Sequence, residues 1–407
     1  MKKIFGLGMV FALLLMASTA AADFVTPDTG TTYSLSQLAA ISSGAIEALP
    51  QGAYLVHEKV IISKTDALEA KNSALLFNVP DEIPAPQTYK NPCLIVKGYL
   101  AANNMIFTTN PDSIVDYRLG TEIRISGEEP GSLAEASLTS CTFHTLMVGL
   151  SVGCEAKLTM KESHFDGCRQ AGMNVFGNSN AYIQNTVFEN SPCVFQESNV
   201  VILGCEFDGG GMNLCNCLEG SMVKGCQFHD CTDNGISIVS DNSTIENNDV
   251  LQSLFGISVW GNSAGTIQNN TISENYNGGL VVMDQAAPKI RKNTFDNNAL
   301  NPPVTSGTLV LPAVFIYDEA MPDLGTKNDP GENIFGDNGL LNVYHAGKKI
   351  VYALGNDWGA QSQLEIEDAI YHRLDDSEDA DLSGFLSGWV VYSDIFGFPL
   401  SRGVISY

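Results

Sequence analysis

Ile245-Glu-Asn-Asn-Asp-Val250 returns as Ile267-Gln-Asn-Asn-Thr-Ile272 and again as Ile290-Arg-Lys-Asn-Thr-Phe295, in steps of 22 and 23 residues. The frame extends toward the N-terminus through Cys226-Gln-Phe228, Cys205-Glu-Phe207, Val187-Phe188, Ser163-His-Phe165 and Cys141-Thr-Phe143. Toward the C-terminus it continues through Asn333-Ile-Phe335 and Asn356-Asp-Trp358. The closing apolar residues lie 22, 23, 19, 21, 22, 22, 23, 40 and 23 apart, so the one long step marks a repeat carrying an inserted loop. A fixed period of this length signals one small structural unit stacked many times.

Each unit reveals its orientation by alternation. Leu138, Met160, Ile183, Ile202, Val223, Ile245, Ile267 and Ile290 form an apolar column, which must point inward. The next residue along gives Thr139, Lys161, Gln184, Leu203, Lys224, Glu246, Gln268 and Arg291, a mostly polar column expected to face water. A second strand recurs as Gly149-Leu-Ser-Val152, Gly172-Met-Asn-Val175, Gly211-Met-Asn-Leu214, Gly235-Ile-Ser-Ile238, Gly256-Ile-Ser-Val259 and Gly279-Leu-Val-Val282. Its leading glycine suggests unusual backbone angles.

A unit of about 22 residues cannot bury its inner face alone, and stacking in parallel at about 4.8 Å gives every inward side chain a neighbour above and below. The fold expected is therefore all-β, a right-handed parallel β-helix of about ten rungs with an N-terminal strand cap and a short C-terminal helix cap. Leucine-rich repeats would need a Leu-Asn consensus, and helical repeats a 3.6-residue period over longer units. The asparagines at 248, 270, 293, 333 and 356 read as a ladder, amide bonding amide from rung to rung, with the left-handed backbone angles that Asn tolerates. Cys141, Cys205 and Cys226 continue that column, while Cys168 and Cys231 fall five residues past it. Stacked buried thiols are the simplest reading, and a bond between Cys205 and Cys226 is the alternative.

Residues 1–22 read as a secretory signal: Lys2 and Lys3, the apolar run Ile4 to Met16, then Ala20-Ala21-Ala22. Residues 23–125 are strand-rich without a clear period and read as an N-terminal cap with the first strands. The repeats occupy 126–360, with a Pro-rich insertion at 299–330 that contains the strand-like run Ala313 to Tyr317. Residues 361–407 form a C-terminal cap, in which Ser362 and Glu365 predict a capping box ahead of a helix from Gln363 to about Tyr371 bearing Leu364, Ala369 and Ile370. An exported bacterial protein, secreted to the periplasm or beyond the cell, is expected, and no later stretch approaches the roughly 20 apolar residues of a transmembrane helix.

The chain carries 21 basic and 46 acidic residues, a net charge of −25; losing Lys2 and Lys3 leaves 19 against 46, or −27. That charge repels nucleic acid and anionic lipid, and disfavours polyanionic substrates unless metal ions bridge the two.

The Asn-Asn-x-apolar turns at 247–250 and 269–272, together with the Gly-[Ile/Leu]-x-Val strands, resemble the repeats of pectin-lyase-like β-helix proteins. Asn356-Asp-Trp358-Gly359 with Ile366, Ile370, His372 and Asp375-Asp376 is similar to a closing motif of uncharacterised exported bacterial β-helix proteins. The resemblance covers roughly residues 50 to 390 and implies the fold far more specifically than an activity, since such folds host lyases, hydrolases, epimerases, adhesins and non-catalytic surface proteins.

Catalysis on uronate polymers needs a base, an acid or a neutralising cation on neighbouring rungs. The outward positions of the second strand, Ser151, Asn174, Asn213, Ser237, Ser258 and Val281, supply none of these. Polygalacturonase signatures and the arginine pairs of pectate lyases are absent. His144, His164 and His229 flank the turn aromatics in separate rungs and read as turn decoration. Cys215 and Cys217 lack partners at metal-ligand spacing, and Asp375, Asp376, Glu378, Asp379 and Asp381 read as a solvated acidic loop rather than a calcium site, so no metal or cofactor is expected.

The expected function is non-catalytic binding of a glycan, cell-surface or protein partner, with Asn174, Asn213, Ser237, Ser258 and an exposed Trp260 as the candidate patch. The rival is a polysaccharide lyase or glycoside hydrolase whose groove is built partly from the 299–330 insertion.

Overall fold

The computed structural model describes residues 23–79, 93–110, 121–127, 133–300, 312–339, 341–360, 362–372 and 390–392. Residues 1–22, expected to be a signal, the acidic tract 375–381 and residues 301–311 of the expected insertion lie outside them.

The chain winds as a right-handed parallel β-helix. One long parallel sheet runs through fourteen strands, from Phe24–Val25 to Ile370–His372. A second sheet takes two short strands from each central rung, as in Thr244–Glu246 followed by Asp249–Leu251. In this second sheet register follows the sequence period: Ile245 pairs with Ile267, and Ile267 with Ile290. The column Leu138 to Ile290 is at most 1% exposed throughout, which is the inward assignment the alternation required.

The closing apolar residues form the other wall of the interior. Phe107, Phe143, Phe165, Phe188, Phe207 and Phe228 stack face to face with ring centroids 5.0, 4.3, 4.8, 4.8 and 4.5 Å apart. That spacing is the rung repeat itself, so parallel pairing forces the rings into an offset stack that contributes beyond its buried area. The stack passes through Val250 and Ile272 and resumes at Phe295, Phe335 and Trp358, with centroids 5.2 and 4.6 Å apart.

The asparagine ladder forms inside this core. Asn270 Oδ1 accepts from the Asn248 backbone N–H (2.9 Å) and from Asn248 Nδ2 (3.0 Å), while Asn270 Nδ2 donates to Asn293 Oδ1 (2.9 Å) and to the Ile245 carbonyl (3.0 Å). The left-handed angle belongs to the preceding residue: Asn247 and Asn269 both have φ of 55°. The corner residue turns the chain, and the ladder residue then points its amide along the axis to satisfy the backbone N–H that the corner leaves unpaired. Lys292 (φ 57°) and Glu332 (φ 52°) serve as the corners ahead of Asn293 and Asn333. All ten cysteines are free thiols. Cys226 continues the ladder with its own N–H donating to Asn248 Oδ1 (2.9 Å), and the Cys205 N–H points at Cys226 Sγ (3.4 Å).

Two expectations are corrected by packing. The glycines opening the second strand have no positive φ; they make room. A Cβ on Gly256 would lie 2.4 Å from the Gly279 carbonyl oxygen and 2.8 Å from the Ile272 side chain. Arg291, expected in water, is only 5% exposed, because residues of the insertion fold over it. Its guanidinium contacts Asp323 Oδ2 (2.6 Å), Asp329 Oδ2 (2.8 Å) and the Asp323 carbonyl (2.7 Å).

At the N-terminal end, strands Ala67–Phe77 and Tyr99–Thr109 already pair in parallel with the rungs, and the helix Leu35–Ile41 packs beside them with its capping box at Ser34 and Gln37. At the C-terminal end the Ser362–Glu365 capping box forms, but the helix covers only Gln363–Asp368. Ile370–His372 leaves it to become the last strand of the long sheet, and Leu364 stays exposed. The buried helical side chain is Glu367, which accepts from Tyr392 Oη (2.8 Å).

Candidate functional site

The outer face of the long sheet carries one column that runs in strict register: Ser151, Asn174, Val194, Asn213, Ser237, Ser258, Val281, Phe315, Tyr344 and Tyr371. Four of the five residues of the expected patch belong to it, and Trp260 lies two positions beyond Ser258 on the same face. Their surroundings differ. Asn213 is exposed, Asn174 and Trp260 are half-buried, and Ser237 and Ser258 are buried at 6% and 1%. The Ser258 hydroxyl donates to Asn234 Oδ1 and so forms floor rather than an open donor.

Around that floor lies a groove of about 570 Å³, lined by Phe255, Trp260, Phe315 and Tyr317 over Ser258, Val281 and Met283, with Asp233 and Asn234 at one edge. Phe255 and Trp260 flank the Gly-Ile-Ser-Val strand on the outward side, while Phe315 and Tyr317 stand on the strand Val314–Ile316 and just after it, within the 299–330 segment. Asp233 and Asn234 also line an adjoining cavity of about 340 Å³ with Arg169, Gly210, Met212 and Asn213. The two hollows share an edge and together follow the solenoid axis across several rungs. Beyond them the aromatic column continues, with Phe315 and Tyr344 stacked at 5.5 Å and Tyr344 and Tyr371 at 4.3 Å.

Phe255, Phe315, Tyr317, Asp233 and Asn234 escaped the reading of the sequence. The signal for Phe315 was present: counting Ala313 to Tyr317 as the next second strand places Phe315 directly after Val281. The 40-residue step concealed that register.

His144, His164 and His229 lie elsewhere, on the outer face of the two-strand sheet, each beside carboxylates. His144 Nδ1 lies 2.7 Å from Asp166 Oδ2, and His164 Nε2 3.5 Å from Glu189 Oε2. For His229, partial burial opposes protonation, yet the Glu206, Asp208 and Asp230 carboxylates outweigh it and hold the imidazole above its ordinary pKa.

The right-handed β-helix family model matches residues 125–238 and again 215–351, together more than half of the chain. The chain belongs to this family. No curated protein matches the sequence significantly. Among solved structures, this β-helix is similar to the periplasmic alginate epimerase AlgG, at 13% identity over 80% of this chain and 78% of that one, with a TM-score of 0.48. It is also similar to tailspike protein 3 of bacteriophage CBA120, at 12% identity over 84% of this chain and 53% of that one, with a TM-score of 0.39. Among the described residues no helix of this β-helix is long and apolar enough to cross a membrane.

Proposed function

We propose that the protein is an exported, non-catalytic β-helix that binds an extended, uncharged glycan along the outer face of its long sheet. The observation that carries this reading is the groove in which Phe255, Trp260, Phe315 and Tyr317 surround a floor of Ser258 and Val281 with Asp233 and Asn234 at the rim. Aromatic faces pack against the apolar faces of sugar rings, and a few convergent amide and carboxylate groups take the hydroxyls and fix orientation. Rungs about 4.8 Å apart offer such contacts repeatedly along one line, which suits a chain-like ligand. The strongly negative net charge favours a neutral polymer over a polyuronate. Export rests on the leader-like residues 1–22.

The test is retention of the purified protein on a panel of neutral and acidic polysaccharides. Trp260→Ala is expected to weaken binding about tenfold, equivalent to about 1.4 kcal/mol. Undiminished retention of that variant would place the ligand elsewhere.

A second reading, polysaccharide lyase or glycoside hydrolase, draws on Arg169 and Asp233, a cation and a carboxylate lining the adjoining cavity. Reproducible cleavage of any polysaccharide in the panel, abolished by Asp233→Asn, would establish that reading and overturn the non-catalytic one.

A further inference from the structure

We propose that Asp208, His229 and Asp230 form a solvent-open binding site for a divalent transition-metal ion of the zinc class. Asp208 and His229 are register partners on adjacent rungs, ending the strands Glu206–Asp208 and Gln227–His229. Asp230 follows at the corner with φ of 54°, which turns its side chain back toward the same point. His229 Nδ1 lies 3.5 Å from Asp208 Oδ1 and 3.5 Å from Asp230 Oδ2, and one donor atom from each of the three residues falls within 4.8 Å of the others. A tetrahedral zinc ion with bonds of about 2.0–2.2 Å holds neighbouring ligand atoms about 3.3 Å apart, so small side-chain adjustments suffice to close the site.

The other imidazole nitrogen completes the pattern. His229 Nε2 lies 3.1 Å from Glu206 Oε1, the outer carboxylate that fixes the tautomer and orientation of a metal-bound histidine. One nitrogen therefore faces two oxygen ligands while the opposite nitrogen is held by a third carboxylate. Three protein ligands leave the fourth position to water or to an oxygen of a bound molecule. A nitrogen ligand and only two carboxylates select against calcium, which takes six to eight oxygens. Sequence spacing hides this site, since Asp208 and His229 are brought together by the rung period and no local motif links them.

The experiment is calorimetric titration of chelator-treated full-length protein with zinc ion, and then with calcium ion. One equivalent of zinc is expected to bind, with His229→Ala losing that equivalent and Asp208→Asn and Asp230→Asn each weakening it at least tenfold. Glu206→Gln should keep the stoichiometry and weaken binding by about 10- to 100-fold. Cobalt substitution gives a second readout: a tetrahedral visible spectrum without a thiolate charge-transfer band is expected, and appearance of that band would assign the metal to cysteine and overturn the site. Wild-type zinc affinity in His229→Ala, or in Asp230→Asn should the first variant fail to fold, overturns it equally. So does preferential binding of calcium.

Discussion

At the scale of single residues, the interior is organised by what each rung must satisfy. Asn270 uses its carbonyl twice and its amino group twice, in four hydrogen bonds that all run between rungs or to the backbone. Asn270→Ala strands the Asn248 backbone N–H and one hydrogen of Asn248 Nδ2 in a dry core, while Asn293 Oδ1 keeps the backbone N–H of residue 270, and each orphan costs about 1–3 kcal/mol. The expected outcome is a loss of about 3 kcal/mol or more, seen as faster hydrogen exchange at residues 245–250 and 290–295 with the outer rungs unaffected. Exchange at wild-type rates there would remove the ladder from the list of stabilising elements. The ladder was legible because five asparagines repeat at one position. A second ladder was not: Ser253 N–H donates to Asn275 Oδ1, Asn275 Nδ2 to Asn298 Oδ1, and Asn298 Nδ2 to Asn338 Oδ1. Its members sit five residues after the first, at the offset where Cys168 and Cys231 were noticed, but Cys, Ser and Gly hold the position on the earlier rungs, at 168, 191, 210, 231 and 253, and Asn only from 275 onward, which hides the identity.

At the scale of elements, the segment before Asn333 is fastened by charge. Arg291 and Lys289 both reach Asp329, with Lys289 Nζ 2.7 Å from its carboxylate, and the neighbouring Arg291 and Lys289 cations hold the carboxyl at about 2, below the ordinary carboxylate range. A depressed folded-state pKa stabilises fully above the ordinary value near 3.9 and loses that contribution as pH falls toward 2. Protection factors of amides around 323–331 are therefore expected to fall between about pH 4 and pH 2, after correction for intrinsic exchange. Arg291→Ala should lower them already at pH 6 and flatten the acid response; a pH profile identical to wild type would mean the contact is incidental. No residue pattern announced this fastening. Arg291 sits on a column that elsewhere points into solvent, and only the fold-back of residues 320–330 dries it. The strand periodicity, by contrast, was readable throughout the rungs, because alternation is enforced by burial at every one of them. The candidate groove was half readable, since the Ser and Asn column belongs to the repeat while its aromatic walls come from strand ends and the long step.

At the scale of the whole molecule, each rung touches mainly its two neighbours, so stability is close to a sum of local terms. Ile245→Asp places a carboxylate at a position 0% exposed, packed between Val223 and Ile267, with no cation among its register partners. A cost of about 4 kcal/mol or more is expected, read as a lowered first thermal transition or as failed expression, whereas Lys161→Ala on the outer face should leave melting unchanged. An unaltered melting curve for Ile245→Asp contradicts the inward assignment on which the rungs rest. The same neighbour-to-neighbour logic gives the amide ladder a sense of direction. From Asn248 to Asn356 each amino group points the same way, and the final one discharges into the carbonyls of Leu324 (2.9 Å) and Ala353 (2.7 Å). Aligned dipoles of this kind polarise one another, so the molecule carries along its axis a wire whose grounded end lies near the C-terminus, and cutting it there loosens chiefly the amides of the adjoining rung.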